Sequence, residues 1–126
     1  MKKVGKINKK KRLRTECDKL WHQLVVKRAG GKCEVCGDTF GVVGHHYYHK
    51  STYGHIRYDL DNGIALCRSC HFLLHHQDPK RIEEKIETIK GKKWREKLKK
   101  KSQNRPKNFS TTIGYYEEIK TKLKKL

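Results

Sequence analysis

The chain has 126 residues, of which 34% are hydrophobic, so it has room for one compact domain with polar extensions but not for two independent domains. Its 32 Lys and Arg residues against 13 Asp and Glu residues give a net charge of +19, which is typical of a protein that binds a polyanion. It lacks both the run of about 20 apolar residues that a membrane span needs and the apolar part of a secretory signal, so we expect a cytoplasmic protein.

The charge is unevenly distributed along the chain. Residues 31–76 hold four basic and four acidic side chains, so the net positive charge lies in the flanking segments. The same central segment holds seven of the eight histidines and four of the five cysteines. We therefore expect the chemistry in the centre and the contacts to a polyanion in the flanks.

The N-terminal segment is the first of the basic flanks. Residues 1–14 carry eight basic side chains and no acidic one, which predicts a mobile arm that folds onto phosphates, with a merely solvated tail as the alternative.

A first helix is predicted over residues 16–28. Residues 15–18 resemble a capping box, and Gly30-Gly31 ends the element. Cys17 lies on the apolar stripe and is interpreted as a core thiol, whereas His22 lies off it and is given no function. The stripe has helical spacing and consists of Cys17, Leu20, Trp21, Leu24 and Val25.

The central segment favours short strands. Residues 41–58 are rich in Val, Tyr, Thr and Ile and are interrupted by Gly44 and Gly54, which predicts a hairpin of two short strands within this range. Residues 59–63 are expected to form a turn, and residues 64–66 a short apolar link to a second cysteine pair. A helix is expected after Cys70, with His71, Leu74 and His75 on one face.

Three further helices are predicted toward the C-terminus. Asp78-Pro79 is an N-cap followed by proline in the first helical position, and Ile82, Ile86 and Ile89 then predict a buried stripe. Beyond Gly91, a basic helix is anchored by Trp94 and Leu98, and residues 107–126 form an amphipathic tail helix through Ile113, Tyr116, Ile119 and Leu123. The predicted division is an arm over 1–14, a core over 15–78 and a basic helical extension over 79–126.

The cysteines form two C-x-x-C pairs. Cys33 and Cys36 precede Cys67 and Cys70 by about 30 residues. Because thiols stay reduced in the cytoplasm, the pairs are better metal ligands than disulfides, and four thiolates suit a tetrahedral structural Zn²⁺. An iron–sulfur cluster and free structural cysteines are the alternatives. Such a zinc would contribute folding free energy and would bring the hairpin against the following helix.

The histidines form a second group of candidate metal ligands. His71 and His75 have the i, i+4 spacing that lets two imidazoles on one helix face bind one divalent ion, and a hairpin histidine could be a third ligand. Neighbouring residues on a strand point to opposite faces, so His45 and His46 are expected to have different roles. Asn62-Gly63 is by itself an ordinary turn dipeptide.

The order of these motifs resembles the HNH endonuclease family: a C-x-x-C pair, His45-His46, Asn62-Gly63, a second C-x-x-C pair followed directly by His71, and then His75. The stretch from His45 to His71 is most similar to phage-encoded HNH proteins of the recombination-endonuclease (NinG-like) kind, which would function in the host cytoplasm. The resemblance covers about residues 15–80. It implies a small α+β fold with a ββα-metal, treble-clef-like core and a structural zinc, flanked by an N-terminal helix and basic C-terminal helices.

The resemblance also implies catalytic roles. His46 matches the general base that activates water, and Asn62 matches the asparagine that orients the hairpin of that histidine. His71 and His75 match metal ligands. His45 stands where many members have aspartate and colicin-type members have a histidine ligand, so the metal preference is open: Mg²⁺ or Mn²⁺, with Zn²⁺ or Ni²⁺ as alternatives.

The implied function is a DNA endonuclease that hydrolyses phosphodiester bonds with a single divalent metal. The basic residues expected to contact DNA are Arg57, Arg68, Lys92, Lys93, Arg95 and Lys99. The remaining central histidines, His49, His55 and His76, are spare candidates that are expected to face solvent, with contact to phosphate as the alternative for His49. Two alternatives stay open: a non-catalytic zinc module that binds nucleic acid, and a basic structural protein of a ribosome-like assembly. The sequence does not specify the oligomeric state.

Overall fold

The computed structural model describes residues 2–126, with side chains from residue 8 onward. Five helices and a two-stranded sheet make up this part of the chain, and no helix in it is long and apolar enough to cross a membrane. The elements in chain order are α1 (Lys2–Arg28), β1 (Val43–His46), β2 (Gly63–Leu66), α2 (Arg68–Phe72), α3 (Pro79–Lys90), α4 (Lys92–Gln103) and α5 (Ile113–Lys124). One π-helical segment, Leu73–Gln77, continues α2 directly.

The hairpin pairs β1 with β2 in antiparallel register, with His45 opposite Ile64 and His46 opposite Gly63. The predicted hairpin within residues 41–58 is therefore wrong. The second strand is the fully buried segment 63–66, which lacks the polar alternation of a half-exposed strand. Residues 47–62 form a long loop that contains two short 3₁₀ turns, Gly54–Ile56 and Leu60–Asn62.

Helix α1 is longer than predicted. It begins at Lys2 and not near residue 16, so the predicted helix start is wrong. The mobility of the basic arm stays a prediction, and Met1 lies outside the described residues. Lys and Arg are good helix formers, which favours a helix in this basic segment. The segment also has a tertiary contact, because the side chain of Leu13 is buried against α5. The Thr15 hydroxyl donates to the Lys11 carbonyl within the helix instead of capping it.

The first part of the core lies where α1 packs against the hairpin and α5. Cys17, Trp21 and Val25 are fully buried there, so the interpretation of Cys17 as a core thiol agrees with its position. Gly63 permits this close packing, because a Cβ at that position would collide with the Val25 side chain. Helix α1 therefore lies directly on the strands that carry the histidine pair.

The second part of the core surrounds the cysteines. Ile64 and Leu66 of β2 meet Ile82 and Ile86 of α3 there, whereas Ile89 is half exposed and not buried as predicted. Asp78 caps α3, since its carboxylate accepts from the Arg81 backbone N–H at 3.2 Å.

The C-terminal helices are packed onto the rest of the molecule. Leu98 of α4 is buried, and α5 lies against α1 with Tyr116 and Leu123 buried. The structure is a small α+β fold with a two-stranded sheet, several helices and a four-cysteine cluster, in agreement with the small α+β fold that the sequence resemblance implies. The boundaries between arm, core and extension stay predictions.

Candidate functional site

The four predicted cysteines come together. The Sγ atoms of Cys33, Cys36, Cys67 and Cys70 all lie within 4.8 Å of one another, and those of Cys36 and Cys67 are 3.5 Å apart. Tetrahedral Zn²⁺ with Zn–S bonds of about 2.3 Å requires sulfur separations of about 3.8 Å. The cluster therefore fits a structural zinc.

The backbone around Cys33 and Cys67 also favours thiolates at these two positions. Burial raises the pKa of Cys33, but hydrogen bonds from the backbone at Cys67, Cys36 and Val35 outweigh burial and lower it to about 7. Cys67 is the N-cap of α2, where the backbone N–H of Cys70 points at its sulfur at 3.5 Å. Metal binding requires deprotonated sulfur, so these N–H groups support the same function as the spacing.

Three of the predicted histidines form a second cluster. One ring nitrogen each of His45, His71 and His75 lies within 4.8 Å of the others, and the Nε2 atoms of His71 and His75 are 3.0 Å apart. Three imidazoles on one tetrahedral ion with bonds of about 2.1 Å would have nitrogens about 3.4 Å apart. Burial, followed by the proximity of His71 and His75, lowers the pKa of His45 to about 3, so its imidazole is in the neutral form that binds metals.

His46 points away from this cluster, toward α1. Its Nε2 lies 2.9 Å from the Arg57 carbonyl oxygen. Because a carbonyl can only accept, Nε2 must be the protonated nitrogen, which leaves Nδ1 as a free acceptor. Burial lowers the pKa of His46 to about 4 despite that hydrogen bond. The two neighbouring histidines therefore have different environments, as the alternation of a strand predicts.

Asn62 holds the long loop closed. It is completely buried, and its Oδ1 accepts from the Tyr48 backbone N–H at 2.7 Å while Nδ2 donates to the Tyr48 carbonyl at 3.1 Å. A weaker contact of 3.4 Å joins Nδ2 to the Ile56 carbonyl. Since Arg57 follows directly, Asn62 fixes the segment that supplies the carbonyl partner of His46.

The histidines line one pocket of about 230 Å³. Four of its lining residues were not predicted as site residues: His22 of α1, Gly44 of β1, and His49 and Lys50 of the loop. His22 is half buried, its ring meets that of His46 edge to face at 6.0 Å, and burial lowers its pKa. His22 has no function in the sequence-based prediction, which therefore misses this contact. The contact depends on the packing of α1 against Gly44 and has no local sequence signal.

The turn before β2 is held by both flanking helices. From α1, the Arg28 guanidinium donates to the Leu60 carbonyl at 2.7 Å. From α4, the Trp94 indole donates to the Asp61 carbonyl at 2.8 Å, and the Lys101 ammonium contacts the carboxylates of Asp59 and Asp61 at 2.8 and 2.9 Å. The flanks therefore contribute to the geometry around Asn62.

The basic side chains that were predicted to contact DNA differ in whether they are already paired with acidic groups of the protein. Arg57 forms a bidentate pair with Asp18 at 3.1 and 2.8 Å, which uses its guanidinium inside the molecule. Arg68 is exposed at the start of α2. On α4, Lys92 and Arg95 lie near Glu96 and Glu87, at 3.9 and 3.5 Å. Lys93 and Lys99 are exposed, and neither has an acidic partner within the described part of the chain.

The remaining histidines do not all face solvent. His76 is exposed, as predicted. His49 is also exposed but lines the histidine pocket, with its Nδ1 2.7 Å from the Ser51 hydroxyl. His55 is half buried, and its Nε2 lies 3.0 Å from the Lys101 carbonyl, so the expectation of a solvent-facing ring is wrong for this residue.

The fold and these two clusters are consistent with a small zinc-binding module that has a histidine pocket beside it. Residues 33–81 match the family model described as HNH endonuclease, and this segment contains the four clustered cysteines, the three clustered histidines, His46 and Asn62. The match suggests a nuclease-type or nucleic-acid-binding function. No curated protein and no solved structure shows a significant match to the chain.

Proposed function

We propose that this protein is a metal-dependent DNA endonuclease that hydrolyses phosphodiester bonds with one catalytic divalent ion. The observation that carries the proposal is the convergence of His45, His71 and His75 in a pocket that His46 also lines. A module that only binds nucleic acid has no need of a second cluster of metal-ligating groups beside its structural zinc. The match of residues 33–81 to the HNH endonuclease family supports the same function.

The donor set bears on the choice of metal. Three imidazoles without a carboxylate make up this cluster in the part of the chain that the structure describes. Imidazole suits Zn²⁺ and Ni²⁺, whereas Mg²⁺ prefers oxygen ligands, so we propose Zn²⁺ or Ni²⁺ ahead of Mn²⁺ and Mg²⁺. A divalent ion held there would neutralise charge on the scissile phosphate and assist departure of the 3′ oxygen.

In this proposal His46 is the general base. Its proton on Nε2 is directed to the Arg57 carbonyl, so Nδ1 is the nitrogen that takes the proton of the attacking water. Asn62 acts through the loop that it closes and is a positioning residue. General-base catalysis contributes about 10² to 10⁴-fold, so loss of His46 is expected to reduce cleavage by that factor while DNA binding is kept.

The proposed DNA contacts are basic side chains that are not used inside the molecule. Lys93 and Lys99 of α4 and Arg68 of α2 are exposed, and Lys50 is an exposed cation in the wall of the histidine pocket. Lys92 and Arg95 contribute less in this proposal, because each lies beside a glutamate. Arg57 is left out because of its pair with Asp18.

The test is cleavage of supercoiled plasmid by the zinc-loaded chain of 126 residues in Mg²⁺, Mn²⁺, Zn²⁺ or Ni²⁺. His46→Ala is expected to slow cleavage by about 10² to 10⁴-fold and His71→Ala to abolish it. The control His76→Ala, at an exposed histidine outside the cluster, is expected to cleave like the wild type. If the wild type leaves the plasmid intact in every metal but still binds it, the protein is a non-catalytic zinc-containing nucleic-acid-binding module. The further assignment to the phage recombination-endonuclease kind is part of the proposal and rests on the sequence between His45 and His71.

A further inference from the structure

Helix α1 lies outside the matched residues 33–81, yet its Trp21 is in direct contact with His46. The two rings are stacked, with centroids 3.8 Å apart and an angle of 5° between their planes. Trp21 is completely buried. One face of the His46 imidazole is therefore covered by a side chain that the matched segment does not supply.

The indole is itself held in place. Its Nε1–H donates to the Asp59 carbonyl at 3.1 Å, in the same turn that α4 holds from the other side. The indole also lies close to β2, because a Cβ at Gly63 would be only 3.0 Å from Trp21 Cζ2. The position of the stacking surface is thus fixed by a hydrogen bond and by contact with the strand opposite His46.

The stacking of Trp21 on His46 is needed because one hydrogen bond does not fix the orientation of an imidazole ring. The ring is anchored covalently at Cγ and by the hydrogen bond from Nε2 to the Arg57 carbonyl, and these two points still allow it to tilt about the line that joins Cγ and Nε2. A flat surface stacked on the ring opposes that rotation. The hydrogen bond and the stacking together fix the direction in which Nδ1 points.

We propose that Trp21 is a positioning residue for His46 and holds the plane of its imidazole so that Nδ1 faces the bound water. This inference rests on the proposed endonuclease function. The competing explanation is that Trp21 only fills the core. The two explanations predict different cleavage rates for a variant that loses the stacked ring but keeps the fold.

The test compares Trp21→Leu, which removes the aromatic ring, with Trp21→Phe, which keeps a ring that can stack. Leu98→Ala is the control for loss of stability, because Leu98 is buried in α4 and lies outside the histidine pocket. All variants are assayed for plasmid cleavage, zinc-loaded and well below their unfolding temperatures.

We expect Trp21→Leu to lower kcat by about 10²-fold with an unchanged KM, because misplacement of a reacting group by about 1 Å costs that much. Trp21→Phe is expected to keep more of kcat than Trp21→Leu, and Leu98→Ala to keep all of it. Equal losses in the two Trp21 variants, or a kcat in Trp21→Leu equal to that of Leu98→Ala, would overturn the positioning role. So would an effect on KM alone.

A second measurement does not depend on cleavage. In the zinc-loaded wild type, the ring current of Trp21 should move the imidazole proton resonances of His46 upfield in ¹H–¹³C NMR spectra, and Trp21→Leu should abolish that shift. Ordinary His46 resonances in the wild type would overturn the inference by themselves. A wild type that shows the shift but cleaves nothing would refute the proposed function, and with it the role of Trp21 in cleavage, while the stacking itself would stand.

Discussion

Replacement of Asn62 by alanine tests how the loop is held around the site. The change removes hydrogen bonds of 2.7 and 3.1 Å to the backbone of Tyr48 and a weaker one to Ile56, and it leaves the N–H and C=O of Tyr48 without their partner. Because a buried polar group without a partner costs about 1–3 kcal/mol, we expect a loss of about 2–4 kcal/mol in the free energy of unfolding.

This loss can be expressed as a change in Tm. With an unfolding entropy of about 2.1 cal/mol/K per residue over 126 residues, Asn62→Ala should lower the Tm by about 8–15 °C. The assay is thermal and urea unfolding followed by circular dichroism with zinc present. The matched control is Asn108→Ala, at an exposed asparagine, which should change stability by less than about 0.5 kcal/mol.

The same variant should also lose cleavage at temperatures where it is folded, since the loop that presents the Arg57 carbonyl to His46 is no longer held. A loss below about 1 kcal/mol would refute the hydrogen-bond reasoning, because it would mean that water replaces the amide at no cost. Full cleavage activity in the folded variant would refute the positioning role of Asn62 independently of its effect on stability.

Three further predictions concern the zinc, the acidic turn and the basic helix. Cys67→Ser should lose the structural zinc and unfold at a lower temperature, whereas Cys17→Ser should keep its zinc. Atomic emission measures the zinc content and thermal unfolding the Tm, and equal zinc contents in the two variants would contradict the four-cysteine site. For Asp61, burial raises the pKa but the hydrogen bonds and charges of the neighbouring lysines outweigh it, so the folded-state pKa lies below the ordinary value. The stabilising contribution of the Asp61 carboxylate is present above the ordinary aspartate pKa and is lost as the pH falls further. Between pH 5 and pH 3, Asp61→Asn should therefore lose less stability than the wild type in urea titrations. Parallel losses would contradict the pairing of Asp61 with the neighbouring lysines. The double variant Lys93→Ala and Lys99→Ala should weaken DNA binding. The slope of log K against log salt concentration, measured by fluorescence anisotropy, should become shallower by up to about 0.9 for each phosphate that is no longer neutralised. An unchanged slope would exclude these contacts.

The parts of the site that the sequence predicts are those that depend on local spacing. Two C-x-x-C pairs predict a common cluster because two residues between ligands let both sulfurs reach one ion, and the structure brings all four together. The i, i+4 spacing of His71 and His75 similarly places their Nε2 atoms 3.0 Å apart. In both cases the prediction uses a spacing within a few consecutive residues, and only the shared ligand chemistry predicts that the two cysteine pairs meet.

The parts that the sequence does not predict depend on contacts between distant segments. The partner of β1 is β2, at residues 63–66, and its buried run has no alternation to distinguish it from a linker. Leu13, in the N-terminal half of α1, packs against α5, about 100 positions later in the chain, and composition alone does not predict that contact. The approach of Trp21 to His46 and of His22 to Gly44 depends on how α1 packs against the hairpin.

The ion pairs also change the interpretation of the charge distribution. Residues 31–76 are neutral in sum, but the ammonium group of Lys90 in α3 pairs with Glu34 at 2.5 Å, and Lys101 in α4 pairs with Asp59 and Asp61. These flanking lysines are bonded to the central segment and are less available to a phosphate. Since they neutralise its acidic side chains, the central segment presents a more positive surface to a polyanion than its own sum indicates. The flanking helices therefore act on the central segment in two ways. They hold the turn before β2 in place, and their lysines neutralise the acidic side chains of the segment.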